Sequence, residues 1–380
     1  FPTRRSSDLF VNWTDGSGNF VSKANPYEFT ASAGRTLVAN FADIAAPISI
    51  TTSTNASTFT ACATCDVNVA SGGSLTIDET KTFNSVTVAA GGALTLNNNV
   101  SFTPGTVTLE SDATKTAVFI DKSDDAHLQS IPAVVKQYLV SGRNWYLSVP
   151  VSGTQSNSVL NGTSAIYWDE PNGNWATATG NLSPTRGYIS VATQSTGAIS
   201  FSGNLNTGTF TVPLTRTPGK TKEGFNLVCN PYPSHLAWTE ATAIAANVMS
   251  TIWYRTATYS SELSKYVYSF QTYNAPSGLG VPSDATGYIP PMQAFWVRVN
   301  PATDGTETLT FTNEMRYDRT SNPLKAPSAK NSQQTMVRLR VANSVGADES
   351  VLYFNENASN GYDTYDSPKM MNNNASVPEI

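Results

Sequence analysis

Few groups in this chain could do chemistry, and their spacing narrows what that chemistry would be. The 380 residues hold two histidines, His127 and His235, and three cysteines. A general base must sit within hydrogen-bond reach of the proton it takes. His235 follows a rigid corner, Asn230-Pro231-Tyr232-Pro233, where a packing or surface role is the stronger expectation. There is no G-x-S-x-G nucleophile turn, no H-E-x-x-H and no phosphate-cradling G-x-x-x-x-G-K. Two carboxylates flanking one bond can hydrolyse a glycoside, and Asp169-Glu170 and Glu262 are the candidates. They lie beside turn residues, so solvated loop charge is expected and no catalytic residue is assigned. Asp15-x-Ser17-x-Asn19 begins like a calcium loop. Its sixth and twelfth positions are Phe20 and Pro26, where such a loop needs glycine and glutamate, so no metal is expected and no cofactor either.

Cys62-Ala63-Thr64-Cys65 is the one paired cysteine motif. Zinc would want a second pair, and a thioredoxin-type motif would want a helix next, whereas Asp66-Val67-Asn68-Val69 reads as strand. A local disulfide between Cys62 and Cys65 in an oxidising compartment stands beside the reading of two free thiols. Cys229, alone on the inward face of its strand, reads as a small buried hydrophobe.

Aromatic residues offer a different chemistry. Tyr167, Trp168, Trp175, Trp253, Tyr254 and Tyr268 fall on two hairpin-like segments, 165–177 and 251–271, and strand alternation must send some of these rings outward. Outward rings on a rigid sheet present flat apolar faces with polar edges, which suit glycans or a surface or matrix protein. The competing expectation is that they cover sheet ends and pack on neighbouring modules.

The elements that would position these residues are all-β. Charged residues make up 13% of the chain, against about 25% in an average soluble protein. The net charge of −5, with no basic stripe, argues against nucleic acid, and no apolar run is long enough to span a bilayer. The stretch G-F-N-L-V-C-N-P-Y-P-S at 224–234 has an earlier relative, G-R-N-W-Y-L-S-V-P-V-S at 142–152. Ile166-Tyr167-Trp168 then matches Ile252-Trp253-Tyr254, Gly187–Val191 matches 294–299, and 199–202 matches 309–312. The order holds and the spacing grows, which predicts duplicated β-sandwich units over 130–318, with halves 140–222 and 223–316. Trp145 and Leu227 would be equivalent inward residues. Whether the halves make one sandwich or two is open. One helix is expected, over 240–249 after Thr239 as N-cap.

Asn68–Ile77 recurs as Thr87–Leu96, each copy with a Gly-Gly corner. Such a short unit cannot bury its apolar side alone, so 60–125 reads as a short β-solenoid, with Val107, Leu109, Val118 and Ile120 as further layers. A β-meander is the alternative. Residues 319–335 read as a linker, and 336–380 as the start of a further β-domain with 336–341 and 350–354 as a hairpin. Residues 1–9 resemble the translation of a sequencing adapter, and both ends are expected to be truncated.

Two resemblances follow. Residues 10–46, with Trp13-Thr14, Asn25-Pro26-Tyr27 and Ala39-x-Phe41, resemble the small β-repeat of bacterial surface proteins. The motifs R-N-W-Y-L-S-V-P-V at 143–151, 224–234, I-P-P-M-Q-A-F-W-V-R-V at 289–299, T-N-E-M-R at 312–316 and F-N-E-N-A-S-N-G-Y-D-T-Y-D-S-P-K-M at 354–370 resemble large secreted surface proteins of the Bacteroidetes. That family implies export by type IX secretion through a C-terminal sorting domain absent from this sequence. With the catalytic constellations weak, the leading expectation is a non-catalytic extracellular or surface role in adhesion, spacing or matrix attachment. The alternative is the accessory, carbohydrate-binding part of a secreted hydrolase.

Overall fold

The computed structural model describes residues 8–24, 26–30, 33–43, 46–60, 62–154, 165–190, 196–238, 246–303, 305–317, 335–371 and 375–380. These residues form an all-β protein. Helical geometry among them is limited to three 3-10 turns, Ala56–Thr58, Glu170–Asn172 and Asn313–Met315. The helix expected over 240–249 falls mainly outside the described residues, and its last part is a turn where Val248 bridges Val299. The linker 319–335 also lies outside them except for its last residue.

Strands β1 (Asp8–Asp15), β2 (Phe20–Ser22) and β3 (Leu37–Asp43) form an antiparallel sheet in the order β2-β1-β3. Asp15 sets its first turn by accepting the N–H groups of Ser17 and Asn19 at 2.8 and 2.9 Å. The Asn19 side-chain amide, helped by those N–H groups, holds the carboxyl below its usual range. The residue that raised the calcium question therefore caps a turn.

A solenoid of about three turns comes next. Its strands are β4 (Ile48–Ile50), β5 (Ser53–Asn55), β6 (Asp66–Val69), β7 (Ser74–Ile77), β8 (Lys81–Val88), β9 (Ala93–Leu96), β10 (Phe102–Leu109) and β11 (Val118–Asp121). Even-numbered strands stack in one parallel sheet and odd-numbered strands in another. Leu75 pairs with Leu94 and Ile77 with Leu96, the register that the internal repeat dictates. Val67, Val86 and Val107 form one fully buried ladder and Leu75, Leu94 and Phe119 another. Each such side chain contributes roughly 1.5–3 kcal/mol by leaving water. Two expectations change here. The winding starts at Ile48 rather than near residue 60, and Phe119 continues the inner ladder while Val118 and Ile120 sit with Ala93 in a separate small cluster. Alternation decides the second point, since neighbours on one strand face opposite sides.

The first unit contains β12 (Pro132–Leu139), β13 (Trp145–Leu147), β14 (Ala165–Asp169), β15 (Asn174–Thr177), β16 (Tyr188–Ser190) and β17 (Gly197–Asn204). The second contains β18 (Phe210–Arg216), β19 (Phe225–Cys229), β20 (His235–Ala237), β21 (Thr251–Ser260), β22 (Lys265–Asn274), β23 (Leu279–Val281), β24 (Tyr288–Ile289), β25 (Ala294–Arg298), β26 (Gly305–Phe311) and β27 (Arg316–Tyr317). Their sheets run β13-β16-β14-β15 and β19-β25-β21-β22-β23, and the flanking pairs are β12–β17 and β18–β26, all antiparallel. One topology thus occurs twice. Because the strand before each motif pairs with the last strand of its own unit, the repeats run 132–204 and 210–311 rather than 140–222 and 223–316.

Register corrects the residue matching. Tyr146 pairs with Ile189 as Leu227 pairs with Trp296, so Tyr146, not Trp145, occupies the Leu227 position. Tyr146 and Leu227 face one core, whereas Trp145 packs on another. A slip of one residue exchanges the two faces of a strand.

Pairing also settles how the units are completed. β12 lies parallel to β10, so the first unit extends the solenoid sheet as β17-β12-β10-β8-β6-β4. A single core runs from Ile50 to Leu205 and takes in Met292 from the second unit. The second unit closes on its own β18–β26 pair over Val212, Trp238, Phe295 and Phe311. A third core joins the two units through Trp168, Ile189, Leu227, Trp253 and Trp296. At Gly187 the backbones meet: its N–H donates to Leu227 O at 2.9 Å, and an added Cβ would lie 2.7 Å from Leu227 Cγ.

Finally β28 (Met336–Ala342) and β29 (Ala347–Tyr353) form the expected antiparallel hairpin. Residues 364–370 tie it to the second unit, where the Trp253 indole N–H donates to Pro368 O at 3.0 Å and the Asn274 amide to Thr364 O at 3.0 Å.

Candidate functional site

The six aromatic residues singled out by sequence divide sharply. Trp253 is fully buried against Phe225, with ring centroids 5.1 Å apart. Tyr254 belongs to the second unit's own core, where its hydroxyl donates to Thr286 O at 3.1 Å. Trp168 is buried in the third core. These three support packing and present no face to a ligand. Tyr167 is half-buried beneath Arg186, 4.2 Å from its centroid, and Tyr268 is half-buried with its hydroxyl accepting the Asn144 N–H at 2.8 Å. Trp175 is 39% exposed. It meets Trp168 at 5.3 Å and Trp296 at 5.9 Å, with interplanar angles of 73° and 75°. The rings therefore form an edge-to-face cluster rather than a coplanar platform.

Sequence reading missed the cations beside this cluster. Lys222 Nζ lies 5.5 Å from the centroids of both Phe270 and Trp296. Arg255 Cζ lies 4.6 Å from the Phe270 centroid and 5.2 Å from that of Tyr268. Arg143 stacks 3.9 Å above Trp145. Among the described residues neither Lys222 nor Arg255 has a carboxylate within ion-pair distance. Burial, and then the charge of Arg255, pulls Lys222 below the usual lysine range, and burial lowers Arg255. Alternation on β21 and β22 was the available signal, since Arg255 shares a face with Trp253, and Tyr268 shares one with Phe270.

Lys222 is held in place from three sides. Its φ is +54°, a left-handed conformation that a lysine keeps only when its surroundings impose it. Glu170, a buried carboxylate from the first unit, accepts the N–H groups of Thr217 and Gly224, both at 2.8 Å, and the Thr217 hydroxyl at 3.0 Å. Glu223 pairs with Arg216 and accepts the Gly219 N–H at 2.7 Å. Glu170 thus organises a loop, while Asp169 accepts the Asn172 amide at 2.8 Å and Glu262 is exposed on another turn. The three are not brought together as an acid/base pair.

A cavity of about 480 Å³ opens beside the same Phe270. β22 lines one side, β29 another, and Tyr362, Tyr365 and Lys369 lie across it. Among its carboxylates, Asp348 pairs with Lys369 and Glu349 with Arg338.

The remaining reactive groups have structural settings. Cys62 and Cys65 are bonded, with Cα atoms 5.3 Å apart. His127 Nδ1 lies 2.6 Å from Asp124, which the Asn98 amide and then His127 hold below the usual carboxylate range. His235 sits half-buried on β20. Among the described residues no three His, Cys, Asp or Glu side chains are grouped to hold a metal ion. The Cys229 thiol donates to Pro184 O at 2.9 Å and Arg186 O at 3.2 Å, and burial pushes its pKa up to about 12. A thiol labels through its thiolate, so Cys229 should react with a disulfide reagent at pH 8 at least ~100-fold more slowly in the native than in the urea-unfolded chain. The raised pKa gives the sign of the alkaline response. Below the unfolded value near 9 its contribution is complete, and it is lost as pH rises towards 12.

Arg316 anchors a buried polar joint. Its guanidinium donates to Phe119 O at 2.6 Å, Asn313 Oδ1 at 3.1 Å, Ser234 Oγ at 3.2 Å and Thr207 Oγ1 at 3.4 Å. It also stacks over Tyr232, 4.8 Å from the centroid. Burial lowers its pKa to about 10, so it stays charged at neutral pH. Thr207 in turn donates to the buried Asp121, and Tyr232 donates its hydroxyl to Gly208 O. The solenoid, the segment between the repeats, the Asn-Pro-Tyr-Pro corner and the Thr-Asn-Glu-Met-Arg motif all meet here.

Neither the curated proteins nor the solved structures contain a match to the chain. Residues 35–379 match a family described as Domain of unknown function (DUF8693). Since that match runs from the N-terminal sheet through the solenoid and both repeats to the C-terminal hairpin, the chain belongs to the DUF8693 family.

Proposed function

We propose that this chain is a non-catalytic part of an extracellular or cell-surface protein serving adhesion, spacing or matrix attachment, carried out of the cell by type IX secretion. One observation carries the reading: each of the five motifs that resemble secreted surface proteins is used to join parts of the fold. Asn144 of the first motif links the first unit to Tyr268 of the second. The Asn230 amide of the second motif donates to Ser234 O and Pro290 O, Gln293 of the third reaches Tyr146 O, Arg316 of the fourth reaches Phe119 O, and Pro368 of the fifth receives Trp253. Motifs spent on internal joints favour a rigid spacer over a catalyst. A second reading, the carbohydrate-binding accessory of a hydrolase, is favoured by exposed Trp175 beside Lys222. The test is incubation of the purified chain with a polysaccharide panel, assayed for new reducing ends and for retention on insoluble polysaccharide. New reducing ends would sink the non-catalytic reading.

A further inference from the structure

We infer that the shelf formed by Trp175, Lys222, Arg255 and Phe270 binds an acidic saccharide, a sugar chain carrying carboxylate or sulfate groups; this deepens the carbohydrate-binding reading of the same site and rests on it.

Two cations share one ring here, since Lys222 and Arg255 lie 5.5 and 4.6 Å from the Phe270 centroid. Like charges so placed oppose each other, and among the described residues no carboxylate forms an ion pair with either. Glu170 is occupied by the N–H groups of Thr217 and Gly224, and Glu223 by Arg216 and Gly219. The Glu379 charge acts on Arg255 more weakly than burial and the neighbouring Tyr146 and Tyr268 do. An anion arriving from outside would relieve both charges. It would meet a lysine whose backbone is already set by its clamped loop, which lowers the ordering lost on binding.

The setting selects a sugar among anions. Trp175 gives an exposed apolar ring against Trp296, the ring that Lys222 also faces, and sugar rings pack on such rings while their acid groups reach the charges. An extended peptide would add along a strand edge and gain main-chain hydrogen bonds, whereas the exposed Trp175 ring favours a flat ring partner. Nucleic acid needs many phosphate contacts, and the chain carries a net charge of −5.

The experiment is calorimetric titration of the whole chain with an oligogalacturonate, a sulfated galactan oligosaccharide and a neutral cello-oligosaccharide of equal length. Poly-glutamate, single-stranded DNA and inorganic sulfate serve as comparators. One or both acidic sugars should bind. K222M and R255M should each weaken that binding at least about tenfold, which is 1.4 kcal/mol. W175A should weaken it in a chain that still unfolds cooperatively in urea, and K220M, at an exposed neighbouring lysine, should change nothing. The carboxylated and sulfated arms identify the acid group. Equal binding of the neutral sugar, equal binding of poly-glutamate, DNA or sulfate alone, unchanged affinity in folded K222M and R255M, or no acidic sugar bound by the folded chain would each overturn the inference. Sugar cleavage would instead overturn the non-catalytic reading and leave the shelf standing.

Discussion

Replacing Arg316 with leucine should cost about 3–5 kcal/mol of stability, the range found when one partner of a buried charged network is removed. The leucine would fill part of the volume but take the guanidinium donors from Phe119 O and Ser234 Oγ, while Asn313 Oδ1 keeps the Gly208 N–H and Thr207 Oγ1 the Asn313 amide. Each buried acceptor left unpaired costs roughly 1–3 kcal/mol, and Asp121 would stay buried without its neighbouring positive charge. Lysine keeps the charge but has no planar fork to serve four acceptors, so R316K should fall between wild type and R316L. Urea unfolding followed by tryptophan fluorescence checks the ranking. Wild-type stability in R316L would mean that the joint is dispensable.

W253A should have an effect of similar size by a different route. Removing a fully buried indole costs about 3–5 kcal/mol through lost transfer energy and the cavity left behind. It also deletes the donor to Pro368 O, which ties 364–370 to β21. W253F should restore much of the packing without that hydrogen bond. Tryptic cleavage after Lys369 should therefore be fast in W253A, intermediate in W253F and slow in wild type. If both variants were cut at the wild-type rate, the indole N–H would have no part in holding this segment.

Much of the architecture was legible because period and repetition are local properties. The recurrence of 68–77 at 87–96 placed Leu94 on Leu75, and the order of the later motifs pointed to the shared strand order. Matching Trp145 to Leu227 failed because both lie in strongly apolar strands, where composition does not say which face a residue takes. Only cross-strand pairing, Tyr146 with Ile189 and Leu227 with Trp296, fixes the face. The growing spacing reflected longer hairpin arms, since β21 and β22 have 10 residues each where β14 and β15 have 5 and 4. The shelf was harder to see. Trp175, Lys222, Arg255 and Phe270 come from separate strands and a loop, and Lys222 in the run Lys220-Thr221-Lys222 reads as ordinary solvated charge until Glu170 is seen to clamp its loop.

The parallel seam between β10 and β12 bears on the order in which this protein acquires structure. A chain made from its N-terminus offers the solenoid before the two repeat units, and each coil needs only the coil before it. The exposed edge of β10 can then template β12, but β12 gains its second partner only when 197–204 arrives as β17. Such distant closure is slow, because loop entropy is lost before the contact is made. Pulse-labelled hydrogen exchange during refolding should therefore find protection in β6, β8 and β10 ahead of β12–β17. Simultaneous protection of both groups would show that the solenoid does not act as a folding template.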